Sequence, residues 1–248
     1  MKIDNVQLAN ELRAFFRASL VDRVKERPVE SPSQRRRRRI VVSISFVLGA
    51  TALGAALNVE PGQSLFYIAT LGVAVIWAVG AFASGPLSRG RSRTRQGKRN
   101  GLAMLQGFIL GGSLLAVFLL GAMVVGQVSA LRGPVDDLFE HVLFGNIAIV
   151  AAITAINGVC EELFFRGAVY AAMPRRWEIV GSALIYTLST ALTGVPLLSF
   201  AALCLGLLTG AQRRVTGGVL GPIVSHLTWS LGMLFLLPHA LSIGDVLW

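Results

Sequence analysis

Long uncharged runs alternate with short charged segments along most of the chain. The runs cover residues 40–57, 64–84, 101–131, 142–160, 179–212 and 215–244. Each has at least 18 residues, which is enough for an α-helix to cross the hydrocarbon core of a membrane. The run 179–212 has 34 residues and is interrupted by Gly194 and Pro196, which predicts two short helices joined by a turn. The pattern therefore predicts an all-α, polytopic membrane bundle of about seven transmembrane helices.

The first 34 residues differ from this pattern, because charged residues occur throughout them and no long uncharged run is present. Residues 1–26 predict a basic amphipathic helix that Asp4 can cap, and residues 27–34, with two prolines, predict a linker. The helix is expected in the cytosol, either on the inner leaflet or docked on loops of the protein itself. We therefore divide the chain into a cytosolic helix and linker at 1–34, three membrane helices at 35–141, and a membrane core at 142–244.

Composition and charge support a membrane protein over a soluble one. Apolar residues make up 54% of the chain and charged residues 15%, and the mean hydropathy is +0.65. A net charge of +10 would suggest a nucleic-acid partner in a soluble protein. Here the basic residues cluster beside apolar runs, at 35–39 and 89–99. We therefore expect membrane lipids as partners, particularly anionic lipids of the inner leaflet, and no nucleic acid.

The distribution of Lys and Arg predicts the orientation, because short cytoplasmic loops retain positive charge. With residues 35–39 inside, seven alternating helices place the other basic pairs and clusters inside as well. These are residues 89–99, Arg175 with Arg176, and Arg213 with Arg214. Arg132 falls outside in an acidic loop with Asp136, Asp137 and Glu140, and the tail at Asp245 is also outside. We expect a multi-pass integral protein of the cell membrane with a cytoplasmic N-terminus.

Three charged residues interrupt the apolar pattern: Glu161, Glu162 and Arg166. A charged side chain near the centre of a membrane helix costs about 2.5 to 3.5 kcal/mol on insertion scales, so such residues commonly have a function or a partner. Glu162 and Arg166 are four residues apart with the acid first, the favourable order for an ion pair on one helix face. Glu161 points elsewhere and is expected to be unpaired. A carboxylate in a poorly solvated site is suited to act as a general base.

Other polar residues fall on the later helices. His226 and Ser230 are one turn apart on the last helix, and Tyr186 and Thr190 have the same spacing on the fifth. Counting a rise of about 1.5 Å per residue places Glu161 and His226 at similar depth. We therefore expect a polar cavity shared by the fourth, fifth and seventh helices and entered from the cytoplasm.

These residues resemble the CAAX prenyl protease type II and bacteriocin-processing family of membrane-embedded endopeptidases, over residues 142–235. The EExxxR motif is matched by Glu161, Glu162 and Arg166. The FxxxH motif aligns with residues 186–190, where Thr190 stands in the place of the histidine. The HxxxN motif aligns with residues 226–230, where His226 matches and Ser230 replaces the asparagine.

The resemblance implies that Glu161 and the second-motif histidine activate water, while His226 and its partner stabilise the oxyanion. Thr190 cannot accept a proton as imidazole does, so Glu161 would be the sole base, and Ser230 would replace the asparagine as a hydrogen-bond donor. Glu162 and Arg166 would support the site. We expect neither a metal nor another cofactor, since one histidine and a carboxylate near Arg166 make a poor ligand set.

Two functions remain open. The first is an intramembrane endopeptidase, with full or reduced activity, that hydrolyses a peptide bond of a peptide or membrane-protein substrate in a cytoplasm-facing membrane cavity. The second is an inactive family member that serves as a membrane scaffold or binds a protein partner. Within the EExxxR segment an ion network that only packs helices is a further alternative, whereas a transporter is disfavoured because matching halves with broken helices are absent.

Overall fold

The computed structural model describes residues 5–22, 30–60, 63–88, 90, 103–128, 132–133, 135–136 and 146–247. These residues contain eight main helices and no strand. The helices are α1 (Asn5–Phe16), α2 (Pro32–Leu57), α3 (Ser64–Ser84), α4 (Ala103–Val125), α5 (Ile147–Ala172), α6 (Glu178–Ala191), α7 (Pro196–Thr216) and α8 (Leu220–Leu247). The predicted all-α membrane bundle is therefore confirmed.

Six of these helices are long and apolar enough to cross a membrane by length and composition, one fewer than the seven predicted. The difference is α6, which has only 14 residues and so extends about 21 Å. A turn at Gly194, which has a left-handed φ of +76°, separates α6 from α7. The carbonyl of Leu192, just past α6, lies beside Gly54 near the end of α2. The short helix therefore nearly reaches the level at which α2 ends.

Helix ends gather at two opposite faces of the bundle. At one face the amide of Val219, before α8, donates to the carbonyl of Ser88, which follows α3. At the other face Arg132 forms an ion pair with Asp245 at 2.9 Å. Sequence analysis assigned Arg132 and Asp245 to the same side, and this contact agrees with it. Asp4, Asp137, Glu140 and the basic residues of 89–99 lie outside the described residues.

Helix α4 packs closely along α8 through two glycines. A β-carbon at Gly107 would collide with Val224 and with the carbonyl of Gly221, and one at Gly111 would collide with the backbone of Ser225. Only a residue without a side chain permits this approach at either position.

An aromatic cluster fixes α3 against α5. Trp77 is fully buried and stacks on Phe164 at a centroid distance of 4.7 Å, and Phe165 lies 5.1 Å from the same indole. The two phenylalanines lie two and three residues after Glu162, so their burial fixes the rotation of α5 at this level. The apolar contacts thereby determine which side of the helix each carboxylate faces.

The N-terminal helix continues for one more stretch with π geometry, Arg17–Val21, and docks on the bundle. Ser19 is fully buried and accepts a hydrogen bond from Gln106 on α4, and Arg214 of α7 donates to the carbonyl of Leu20. Leu8 and Leu12 remain about half exposed. The helix therefore contacts membrane helices of the protein itself, and its apolar side chains face outward.

Candidate active site

Helix α5 changes geometry immediately after its two glutamates. Residues Leu163–Val169 form a π-helical segment, and the amide of Tyr170 donates to the carbonyl of Phe165, five residues earlier. Such segments insert an extra residue into the helical turn and are frequent at functional sites. The sequence contains no signal for this change, because the local apolar pattern fits an α-helix equally well.

Glu162 and Arg166 form the ion pair predicted from their spacing. The distance from Arg166 Nη1 to Glu162 Oε1 is 3.1 Å, and both side chains are completely buried. The guanidinium carbon also lies 4.6 Å from the centre of the Tyr186 ring, which adds a cation–π contact from α6. The carbonyl of Arg166 accepts a hydrogen bond from Arg213 on α7. Arg166 therefore connects three helices.

His226 on α8 joins this pair through its Nδ1 atom. Nδ1 lies 2.9 Å from Glu162 Oε1 in a nearly buried position. An ionised carboxylate can only accept hydrogen bonds, so Nδ1 carries the hydrogen beside an ionised Glu162, and in the neutral form of the imidazole the lone pair is then on Nε2. That Nε2 atom lies 3.8 Å from Glu161 Oε2. The structure thus brings His226 between the two glutamates.

Glu161 occupies the accessible side of the cluster. Its side chain is 15% exposed, whereas that of Glu162 is 0% exposed. Glu161 has a hydrogen-bond partner that was not predicted, because the Tyr186 hydroxyl donates to Glu161 Oε2 at 2.6 Å. The spacing argument considered partners on α5 alone, and Tyr186 reaches Glu161 from α6. As expected, Glu161 does not form the ion pair with Arg166.

Tyr186 is the residue whose importance sequence reasoning missed. It was placed at the first position of the second motif and among the polar groups of the fifth helix, but was given no role in the site. The available signal was its hydroxyl, since the family pattern has phenylalanine at this position. Its ring also packs 4.7 Å from that of Phe165, so the position of the hydroxyl oxygen is fixed.

Thr190 and Ser230 stand apart from this cluster. The Thr190 hydroxyl donates to the carbonyl of Thr187 in its own helix, at 2.9 Å. The Ser230 hydroxyl is buried and makes no hydrogen bond within the described part of the chain. The structure therefore brings together Glu161, Glu162, Arg166 and His226, but does not connect the two remaining candidate residues to them through hydrogen bonds.

The donor set of the cluster does not favour a metal ion. No group of three or more His, Cys, Asp and Glu side chains capable of holding a metal occurs among the described residues. Glu162 Oε1 already contacts both Arg166 and His226. The negative charge of this carboxylate is therefore balanced by Arg166 and is less available to a metal ion.

Comparison with known proteins agrees with the motif in this region. Residues 143–232 match the family model described as Type II CAAX prenyl endopeptidase Rce1-like. No curated protein and no solved structure matches the chain. The matched segment contains every residue of the cluster, together with Thr190 and Ser230. The chain is therefore an integral multi-pass membrane protein, and its residues 143–232 are similar to the Rce1-like type II CAAX prenyl endopeptidases.

Proposed function

We propose that this protein is a membrane-embedded endopeptidase in which Glu161 activates water to hydrolyse a peptide bond. The observation that carries the proposal is the separation of 3.8 Å between Glu161 Oε2 and His226 Nε2, on the exposed side of a buried polar cluster. One water molecule at about 2.8 Å from each atom fits this separation. Both atoms can accept a hydrogen bond, so such a water would present its oxygen lone pair away from them.

Hydrolysis requires two proton transfers at this position. Glu161 takes a proton from water as the water oxygen bonds to the carbonyl carbon of the peptide. The resulting carboxylic acid then delivers that proton to the amide nitrogen as the carbon–nitrogen bond breaks. The Tyr186 hydroxyl, which donates to Glu161 Oε2, can turn to donate to the developing oxyanion.

His226 takes a different role here from the one implied by family resemblance. That resemblance assigned it to the oxyanion, whereas a neutral ring with its hydrogen on Nδ1 has no donor at Nε2. The geometry supports His226 as the residue that positions water beside Glu161. His226 would thereby take over the role of the second-motif histidine, whose position Thr190 occupies in this chain. Glu162, held by Arg166, would keep the hydrogen of the imidazole on Nδ1.

The substrate expected for such a site is a peptide or membrane protein that enters from the cytoplasmic side of the cell membrane. The basic residues in the first turns of α2, at 35–39, and in the last turn of α7, Arg213 and Arg214, support this orientation. A site within a helical bundle admits an extended peptide more readily than a folded domain, because the scissile bond must reach Glu161, whose side chain is 15% exposed.

A catalytically inactive scaffold is the second candidate. It is favoured by the Thr190 hydroxyl, which bonds to its own helix, and by Tyr186, which takes up one oxygen of Glu161. In this alternative the cluster only fixes the packing of α5, α6 and α8, and the protein binds a membrane partner without cleaving it.

A peptidomic comparison distinguishes the endopeptidase from the inactive scaffold. Membranes containing the wild-type protein are compared with membranes containing Glu161→Gln at equal abundance. The matched control is Glu60→Gln, which makes the same chemical change in an exposed loop residue bonded to Gln63. Fragments lost only with Glu161→Gln support the endopeptidase, and we expect their formation to fall about 10²- to 10⁴-fold. Identical peptides in all three samples, with the same co-purified partners, would instead support the scaffold.

A further inference from the structure

A second polar feature lies where α2 begins, away from the glutamates. A cavity of about 350 Å³ is lined by Glu30, Pro32, Arg35, Arg36, Arg39 and Ile40. We call it the α2 entrance pocket. Its position is fixed by a capping box, in which Ser31 accepts from the amide of Gln34 and the Gln34 side chain accepts from the amide of Ser31. The pocket wall is therefore a well-defined helix start.

The one acidic residue that lines the pocket is already neutralised. Glu30 accepts two hydrogen bonds from Arg38, which points into the bundle and is nearly completely buried. Arg38 also donates to the Ser84 hydroxyl and to the carbonyl of Pro86. Because Arg38 satisfies Glu30, the positive charge of the three lining arginines is not offset within the pocket.

The three arginines that line the pocket have N–H donors that are not used in hydrogen bonds to described residues. Arg35 and Arg36 are exposed and make no side-chain hydrogen bond or ion pair with the described part of the chain. Arg39 makes one long hydrogen bond, of 3.4 Å, to the carbonyl of Ala172. A guanidinium presents five N–H donors in a planar fork that matches phosphate oxygens. The pocket thus presents three arginines that no carboxylate of the described residues neutralises.

An apolar track leaves the pocket along the same helix. Ile40 lines the pocket, and Ile44 and Val47 follow it at intervals of four and seven residues, all three exposed. This spacing places them on one face of α2. A ligand that fits both features has an anionic phosphate group joined to an apolar chain, whereas free phosphate would use only the arginines.

We propose that the α2 entrance pocket binds the headgroup of an anionic phospholipid, with an acyl chain along Ile40, Ile44 and Val47. The pocket lies at the start of a membrane helix, on the side where Arg residues are concentrated, which is the level at which lipid phosphates occur. Glu161 and His226 take no part in this site, so the proposal does not depend on peptidase activity.

The test uses the full chain in detergent, titrated with phosphatidylglycerol or phosphatidylcholine and followed by native mass spectrometry. We expect the wild type to prefer phosphatidylglycerol. Arg35→Gln/Arg36→Gln should lower that affinity about tenfold or more, since each basic residue near a membrane surface contributes appreciably to anionic lipid binding. Arg36→Gln alone should give an intermediate loss.

The control is Arg37→Gln/Arg176→Gln, which removes the same charge from exposed cytoplasmic-side residues that do not line the pocket. It should change the affinity less than about twofold. Three results would overturn the proposal: equal binding of both lipids by the wild type, equal losses in the pocket and control variants, or binding of glycerol 3-phosphate as tight as that of phosphatidylglycerol. Thermal unfolding of each variant verifies that the fold is retained.

Discussion

Two adjacent carboxylates face two regions of opposite character. Glu162 points into the buried interior, where Arg166 and His226 contact the same oxygen. Glu161 points to an accessible side, where one tyrosine hydroxyl donates to it and an imidazole nitrogen lies nearby. The difference teaches that residue type alone does not define a role here. Rotation about one helix axis separates a carboxylate that holds structure from one that is available for chemistry.

Removing the buried ion pair around Glu162 should produce the largest loss of folding stability. Arg166→Ala removes the partner of a buried Glu162 and leaves that charge uncompensated, so we expect a loss of about 3 to 5 kcal/mol in the free energy of unfolding. The measurement is folded yield and thermal stability in detergent.

The matched control for that change is the double variant Glu162→Gln/Arg166→Gln. Since it removes both charges together, it should be less destabilised than the sum of the two single glutamine variants, with a coupling of about 1 to 3 kcal/mol. Normal yield and stability for Arg166→Ala would show that the ion pair is not a structural element.

The accessible region should tolerate change better. Tyr186→Phe deletes the hydroxyl that donates to Glu161 and keeps the ring that packs against Arg166 and Phe165. We expect a loss of about 1 to 2 kcal/mol, smaller than for Arg166→Ala because Glu161 retains contact with solvent. Denaturation in detergent measures it, with Tyr67→Phe on α3 as the control. A loss as large as that of Arg166→Ala would make the two regions equivalent.

Ser230→Ala should have the smallest effect on stability. Its buried hydroxyl makes no hydrogen bond in the described part of the chain, so its removal should change the free energy of unfolding by no more than about 0.5 kcal/mol. Thr209→Ala is the comparison variant, because the Thr209 hydroxyl donates to the carbonyl of Leu205. Strong destabilisation by Ser230→Ala would reveal a partner for this hydroxyl.

Sequence reasoning reached the features that depend on local spacing. The Glu162–Arg166 pair follows from an interval of four residues. It is a property of one helix face and requires no knowledge of the neighbouring helices.

Features that depend on tertiary packing could not be predicted from the sequence. The bond from Tyr186 to Glu161 joins residues 25 positions apart, and nothing in either segment specifies the rotation that aligns them. Arg38 was grouped with a basic run that signals orientation, yet it is buried against Glu30. The reduced count of long helices arose because α6 is short, and hydropathy does not show where a helix begins within an uncharged run.

The close fit of α4 against α8 also limits how the protein can be divided. Residues 143–232 match the family, yet α4 precedes them and its glycines lie against the backbone of the helix that carries His226. A shortened protein beginning at residue 143 would expose that groove and lose the support that sets the position of His226. The smallest portion worth producing by itself therefore has to begin upstream of α4.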